Sequence, residues 1–202
     1  MRSPLLALAA VVMVASGVSA CGSSSGSSSS GAGQAKTVNP NGPEVSPAGD
    51  IPDNQAYVAY SPPGSGFSVK VPEGWARTTP AKGVTSFTDK LNRVRMEQRS
   101  ATSALTLAGA RHSVIPALAR SVPGFKVGTV STVSRGAGSA IRITYQAASP
   151  VDPVTGRSHT DSVERYVFFH HGRRVVLTLS GPKGADNVDP WKIVTDSLRY
   201  TR

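Results

Sequence analysis

Four histidines, twelve carboxylates and one thiol are the groups with which this 202-residue chain could do acid–base, nucleophilic or metal chemistry. Twenty-two lysines and arginines are the groups with which it could hold an anion. His170 and His171 stand side by side at the tip of an expected hairpin. Neighbours in a strand point to opposite faces, so the two rings are not expected to converge. No Asp, Glu or Cys stands at ligand spacing from them, so they are read as a solvated turn and no metal site is expected. His112 falls in a helical stretch and is read as packed and hydrogen-bonded. His159 with Asp161 is a weak hint of a hydrolase. An activated serine is missing from it, because no Gly-x-Ser-x-Gly elbow occurs in the folded part of the chain. Gly136-Ala137-Gly138 precedes a strand instead of joining strand to helix, so it is not a phosphate cradle. Glu73 and Asp89 read as turn residues. No catalytic residue and no cofactor is expected.

The cations are more suggestive. The chain carries a formal charge of +10, and the part from Ala56 onward carries twenty Lys/Arg against nine Asp/Glu. Arg93, Arg95 and Arg99 fall at alternate positions of one strand, and Arg173 and Arg174 flank the hairpin tip. Together these five are the candidate anion-binding surface, if the fold brings them to one face. The competing reading is a basic surface that only keeps the domain soluble. No nucleic-acid motif or stacking pattern accompanies the charge, so nucleic acid is not the expected partner. Trp75 and Trp191 could line a groove, but read as packing groups.

The single cysteine excludes an intramolecular disulfide and any Cys-x-x-Cys motif. It closes a leader: Met1-Arg2, an apolar run from Leu5 to Val14, then small residues. That run is too short for a membrane span, which needs about 20 apolar residues. Val18-Ser19-Ala20-Cys21 resembles a bacterial lipobox. The resemblance implies that Cys21 takes a diacylglyceryl group through its thiol and becomes the first residue of the mature protein. Two or more acyl chains, at about 0.8 kcal/mol per buried CH₂, give stable anchoring. Residues 1–20 are then a lipoprotein signal peptide, and the protein sits on the extracytoplasmic face of the cell membrane.

The elements that must position these groups begin after a tether. Gly22 to Gly33 is nearly pure Ser and Gly, and Pro40, Pro43, Pro47 and Pro52 punctuate the stretch from Gln34 to Asp53. Residues 21–55 are therefore expected to be unpacked, with a span of roughly 30 Å. A single globular domain is expected over 56–202. Period-two alternation predicts strands at 56–60, 67–71, 83–88, 94–97, 125–134 and 141–145. It also predicts a hairpin from Val163 to Ser180 turning at His171-Gly172. Ser103 to Ser121 reads as helix, capped by Thr102 or Ser103 and broken at Pro116, which is expected to start a second short helix through Ala119 and Arg120. Asp189-Pro190 reads as N-cap and first position of a closing helix that carries Trp191, Val194 and Leu198. Strands joined by hairpins with helices apart predict an α+β fold: an antiparallel sheet packed with helices.

This order is similar to the Mog1/PsbP-like fold, as found in lipoproteins of actinobacteria. The likeness runs from about Tyr57 to Tyr200. It rests on Phe67-Ser68-Val69-Lys70-Val71-Pro72-Glu73-Gly74-Trp75, on the aromatic hairpin from Arg165 to Leu179, and on the closing helix with Asp196-Ser197-Leu198. The resemblance implies binding or assembly proteins of the envelope and brings no catalytic residues. Three functions stand as expectations. The first is a non-enzymatic, lipid-anchored binding or assembly module, whose partner is an envelope protein or an anionic wall polymer. The second is a small hydrolase using His112 or His159. The third is a carrier of an apolar or anionic small ligand. A hydrolase predicts histidine, acid and nucleophile within hydrogen-bond reach; a carrier predicts an enclosed, mostly apolar pocket.

Overall fold

The computed structural model describes residues 48–152 and 154–201. The leader, Cys21 and the Ser/Gly run lie outside the described residues. Among the described residues, ten strands and two short helical segments make an α+β domain. In chain order they are β1 (Tyr57–Tyr60), β2 (Phe67–Pro72), β3 (Ala76–Ala81), β4 (Val84–Asp89) and β5 (Asn92–Ser100). A helical segment follows: α1 (Leu107–Gly109), a π-helical turn (Ala110–Val114) and α2 (Ile115–Ser121). Then come β6 (Lys126–Arg135), β7 (Gly138–Ala148), β8 (Thr160–His170), β9 (Arg173–Pro182), α3 (Val188–Asp196) and β10 (Arg199–Tyr200). Seven strands form one antiparallel sheet in the order β3-β4-β5-β9-β8-β7-β6, and β1-β2-β10 form a small second sheet.

The large sheet has an apolar core on each face. One core packs Val94, Met96, Leu177, Leu179 and Phe168 against Phe67, Val69 and Val71 of β2 and against Trp191, Val194 and Leu198 near the C-terminus. Trp75 and Trp191, 9% and 7% exposed, belong to it, as their size suggests. The other core packs Ile141, Ile143, Tyr145, Val163, Val167 and Val176 under the helical segment, through Ala110, Val114, Ile115 and Leu118. Burying each large apolar side chain contributes about 1.5–3 kcal/mol. Any one-residue slip of register would turn these residues to the wrong face. The expected hairpin is present: β8 pairs β9 from Asp161↔Pro182 to His170↔Arg173. His171 (φ 43°) and Gly172 (φ 74°) make its two-residue turn.

Several local expectations are corrected. Residues 76–81 form a strand that the sequence concealed, because all six are exposed and nothing alternates. The second short helix expected at Pro116 is present as α2, but no break precedes it. The turn before it widens to π geometry, with Ile115 N–H donating to the Ala110 carbonyl, and Pro116 then falls in the first turn of α2, where no N–H is needed. The N-cap is Thr106, whose hydroxyl accepts from Gly109 N–H, in place of Thr102 or Ser103. His112 is exposed on this segment and not packed. The closing helix begins at Val188 with Asn187 at its cap position, just ahead of the expected Asp189, and ends at Asp196.

Packing also begins before Ala56. Ile51 is 5% exposed, its N–H donates to Asn187 Oδ1 (2.8 Å), and Gly49 O accepts from Asn92 Nδ2 and Asn187 Nδ2. A Cβ on Gly49, which sits at φ +100°, would lie 2.4 Å from the Pro182 ring. Asn187 is therefore engaged in holding this segment, which is why it makes no side-chain cap. The sequence missed this because a single buried Ile among prolines has no periodicity.

Candidate functional site

Pairing of β5 with β9, and of β9 with β8, decides which charges meet. Arg93 lies opposite Ser180, Arg95 opposite Thr178, Glu97 opposite Val176, and Arg99 opposite Arg174. Arg165 lies opposite Thr178 on the next strand. With side chains alternating faces, Arg93, Arg95, Glu97, Arg99, Arg165 and Arg174 all project on the helix side of the sheet. The helical segment covers the part of that face that carries Ile141, Ile143, Val163, Val167 and Val176, and the charged part borders a groove beside α2.

Glu97 is the centre of this cluster. Its side chain is 3% exposed. It accepts from Arg95 Nη1, from Arg99 Nη2 at 2.9 Å and from Arg165 Nη1 at 3.4 Å. Burial pushes the Glu97 carboxyl up, but the guanidinium groups of Arg165, Arg95 and Arg99 together outweigh it and hold it below its usual range. One carboxylate thus fixes three arginines. Arg93 joins no ion pair among the described residues. Arg165 Nη1 also donates to Thr178 Oγ1 (2.9 Å), while its Nε is buried without a partner. These side chains line a groove of about 520 Å³ whose other wall is Leu118, Val122, Tyr145 and Val163.

The five predicted residues do not all meet. Arg93, Arg95 and Arg99 line one groove, with Arg174 on the same face donating to Ser103 O (3.1 Å). Arg173 is corrected to the opposite face, where Nη1 donates to Ser65 O (3.2 Å). Adjacent strand residues must diverge, and that rule separates Arg173 from Arg174 on sequence grounds alone. Glu97 was legible as the break in the Arg-x-Arg-x-Glu-x-Arg alternation. Arg165 was not, because nothing local ties it to β5.

The same rule, applied to the histidines, gives the wrong outcome. His170 and His171 do converge, with ring centroids 4.0 Å apart, because the positive φ at His171 turns its side chain back. His170 also stacks on Tyr200 (4.0 Å, 13°). With Arg173 and the Pro62-Pro63 loop they line an open cleft of about 870 Å³ on the other side of the sheet. Burial pushes the Tyr200 hydroxyl up to about 12. Among the described residues no three His, Cys, Asp or Glu side chains are grouped to hold a metal ion.

A third constellation pairs Ser149 with His159 and Asp161. Ser149 Oγ lies 3.0 Å from His159 Nδ1, and His159 Nε2 lies 2.9 Å from Asp161 Oδ1. The second contact is close but not aligned as a hydrogen bond, and both atoms are otherwise unpartnered among the described residues. Ser149 is 7% exposed, and its Oγ accepts from His159 N–H (2.9 Å) and donates to Pro150 O (3.1 Å). The hydroxyl is thus held in the backbone bridge between the ends of β7 and β8. Burial raises the Asp161 carboxyl, an effect that His159 only partly offsets.

No protein-family model and no curated protein sequence matches this chain. Solved structures do. The solution structure of cyanobacterial PsbP (CyanoP) from Synechocystis sp. PCC 6803 superposes with a TM-score of 0.50 at 14% identity, covering 77% of this chain and 98% of that one. The fold is Mog1/PsbP-like. The Ran-binding protein Mog1p of Saccharomyces cerevisiae superposes at 0.48 with 8% identity, over 72% of this chain and 96% of that one. LpqN of Mycobacterium tuberculosis, involved in cell envelope biogenesis, superposes at 0.42 with 17% identity, over 73% and 91%. At these identities the likeness is one of fold, and the last two superpositions add no argument to the first. Among the described residues no helix is long and apolar enough to cross a membrane.

Proposed function

We propose that this chain is a lipid-anchored, extracytoplasmic binding module that presents the arginine groove to an anionic component of the cell envelope, and that it is not an enzyme. The observation that carries the reading is the convergence of Arg95, Arg99 and Arg165 on the buried carboxylate of Glu97, with Arg93 lining the same groove. A solvated basic surface spreads its charges apart; here four guanidinium groups crowd one open groove with fewer carboxylates than they can satisfy. Fixed, partly desolvated arginines bind carboxylates and phosphates in bidentate fashion. The anchor supports the reading from the sequence side. Lipidation at Cys21 confines the domain to a thin shell at the membrane and raises its effective concentration toward neighbours there.

In-cell cross-linking of the full-length protein tests this. The expected result is a neighbour captured well above the level of an irrelevant lipoprotein and lost when Arg93 and Arg99 are both changed to Gln. Equal capture by the irrelevant lipoprotein would end the proposal.

A hydrolase reading has one observation in its favour, the proximity of Ser149, His159 and Asp161. It is the weaker reading, because the Ser149 hydroxyl is buried and already engaged by two backbone groups. Labelling by a fluorophosphonate probe, abolished by Ser149→Ala, would establish it over the binding module.

A further inference from the structure

Resting on the reading of the groove as an anion site, its second wall says more about the occupant. The arginines line one side only. The opposite side is Leu118 of α2 and Val122 just past its end, with Tyr145, Ala147 and Val163 rising from the sheet. Leu118 and Val122 remain partly exposed at the rim of the core beneath α2. A free inorganic anion would use the arginines and leave this wall wet. A basic protein surface would be repelled, and an acidic peptide would bring further carboxylates that the apolar wall cannot satisfy. An amphiphile with one anionic end satisfies both walls.

The charge narrows the anionic end. Four arginines and two carboxylates, Glu97 and Asp161, line the groove, a formal surplus of two positive charges. A phosphate monoester carries about −1.5 to −2 at neutral pH and offers three acceptor oxygens to forked donors. The volume of about 520 Å³ suits a headgroup and the first part of a chain, and not a whole lipid. We propose that the groove takes a phosphomonoester lipid from the membrane surface, with its phosphate on Arg93 and Arg95, Arg99 adding positive charge at the far end of the groove, and the start of the acyl chain against Leu118, Val122 and Tyr145.

The test uses the full-length chain, with decyl phosphate as the amphiphile, inorganic phosphate as the head alone and decanol as the tail alone, by calorimetric titration below micellar concentrations. The expected result is binding of decyl phosphate at least about 10-fold tighter than either part. Arg93→Gln with Arg99→Gln should weaken it by about 10-fold or more, in line with losing charge-assisted contacts. Val122→Ser, a neutral change in the partly exposed apolar wall, should weaken decyl phosphate while leaving inorganic phosphate within about 2-fold. Arg93→Gln alone keeps the test sound if the double variant misfolds, because Arg93 joins no ion pair among the described residues.

Decyl phosphate binding no tighter than inorganic phosphate, with both lost in the arginine variants, overturns the lipid while the anion-binding module stands. Decanol binding as tightly as decyl phosphate overturns the headgroup assignment. Decyl phosphate and inorganic phosphate both binding wild type and arginine variants alike takes down the lipid and the module together.

Discussion

Replacing Glu97 by Gln should expose how the arginine groove is held. The change keeps the shape and removes the charge. Three guanidinium groups then face an amide that can accept from one of them well. Removing one partner of a buried ion pair costs about 3–5 kcal/mol, but the partners here are unequally buried. Arg99 is 72% exposed and should contribute no more than an exposed pair, about 0–1 kcal/mol. Arg165 and Arg95, at 16% and 33% exposed, carry most of the effect. The expected loss is about 2–3 kcal/mol at neutral pH, a fall in Tm of about 4–12 °C for a domain of this size. The pH dependence sharpens the test. A carboxyl held below its ordinary value stabilises the fold above its unfolded-state pKa and loses that contribution as pH falls through its folded value. The stability gap between wild type and Glu97→Gln should therefore be full above about pH 5 and shrink as pH falls below the ordinary carboxylate range. Asp161, raised by burial, acts with the opposite sign, but it is common to both proteins and cancels in the difference. Urea denaturation across that range reads the gap directly. A gap below about 0.5 kcal/mol at pH 7, or one undiminished at low pH, would refute the clamp, since surface changes rarely exceed that value.

Other consequences are more local. Cys21→Ala should lose metabolic palmitate label and leave the membrane fraction or remain uncleaved; unchanged membrane retention without lipid would sink the anchor. Asn187→Ala strips partners from Ile51 N–H and Gly49 O, so it should cost about 1–3 kcal/mol. It should also open the chain near residues 48–55 to protease before global unfolding; identical cleavage patterns would show that this segment is held by packing alone. Trp191→Ala should cost about 3–5 kcal/mol and shift the urea midpoint accordingly, because the ring is 7% exposed in the larger core. Burial raises Tyr57, Tyr145, Tyr166 and Tyr200, the last to about 12. Their neutral forms stabilise the fold below about pH 10, and that stability is lost as pH rises. Phenolate absorbance in these four should therefore rise together with unfolding; reversible ionisation near pH 10 with the fold intact would contradict the burial.

By itself the sequence determined the elements whose side chains alternate: the β8–β9 hairpin, the strands that carry Arg93 to Arg99, and both tryptophans as core. It also determined the lipobox resemblance at Cys21, which is a matter of local residue type. These are short-range properties, set by a two-residue period or by adjacent side chains, and they survive without knowledge of the partner strand. Strand partners and helix register came only with the tertiary structure. β5 pairs with β9, some eighty residues away, and that pairing brings Arg165 to Glu97 and sets Arg174 opposite Arg99. The π-turn before Pro116 and the capture of Ile51 by Asn187 are likewise answers to neighbours that no window of sequence contains. The candidate site was thus half legible: its arginines by spacing, its convergence only by the long-range register that hydrophobic burial on both sheet faces enforces.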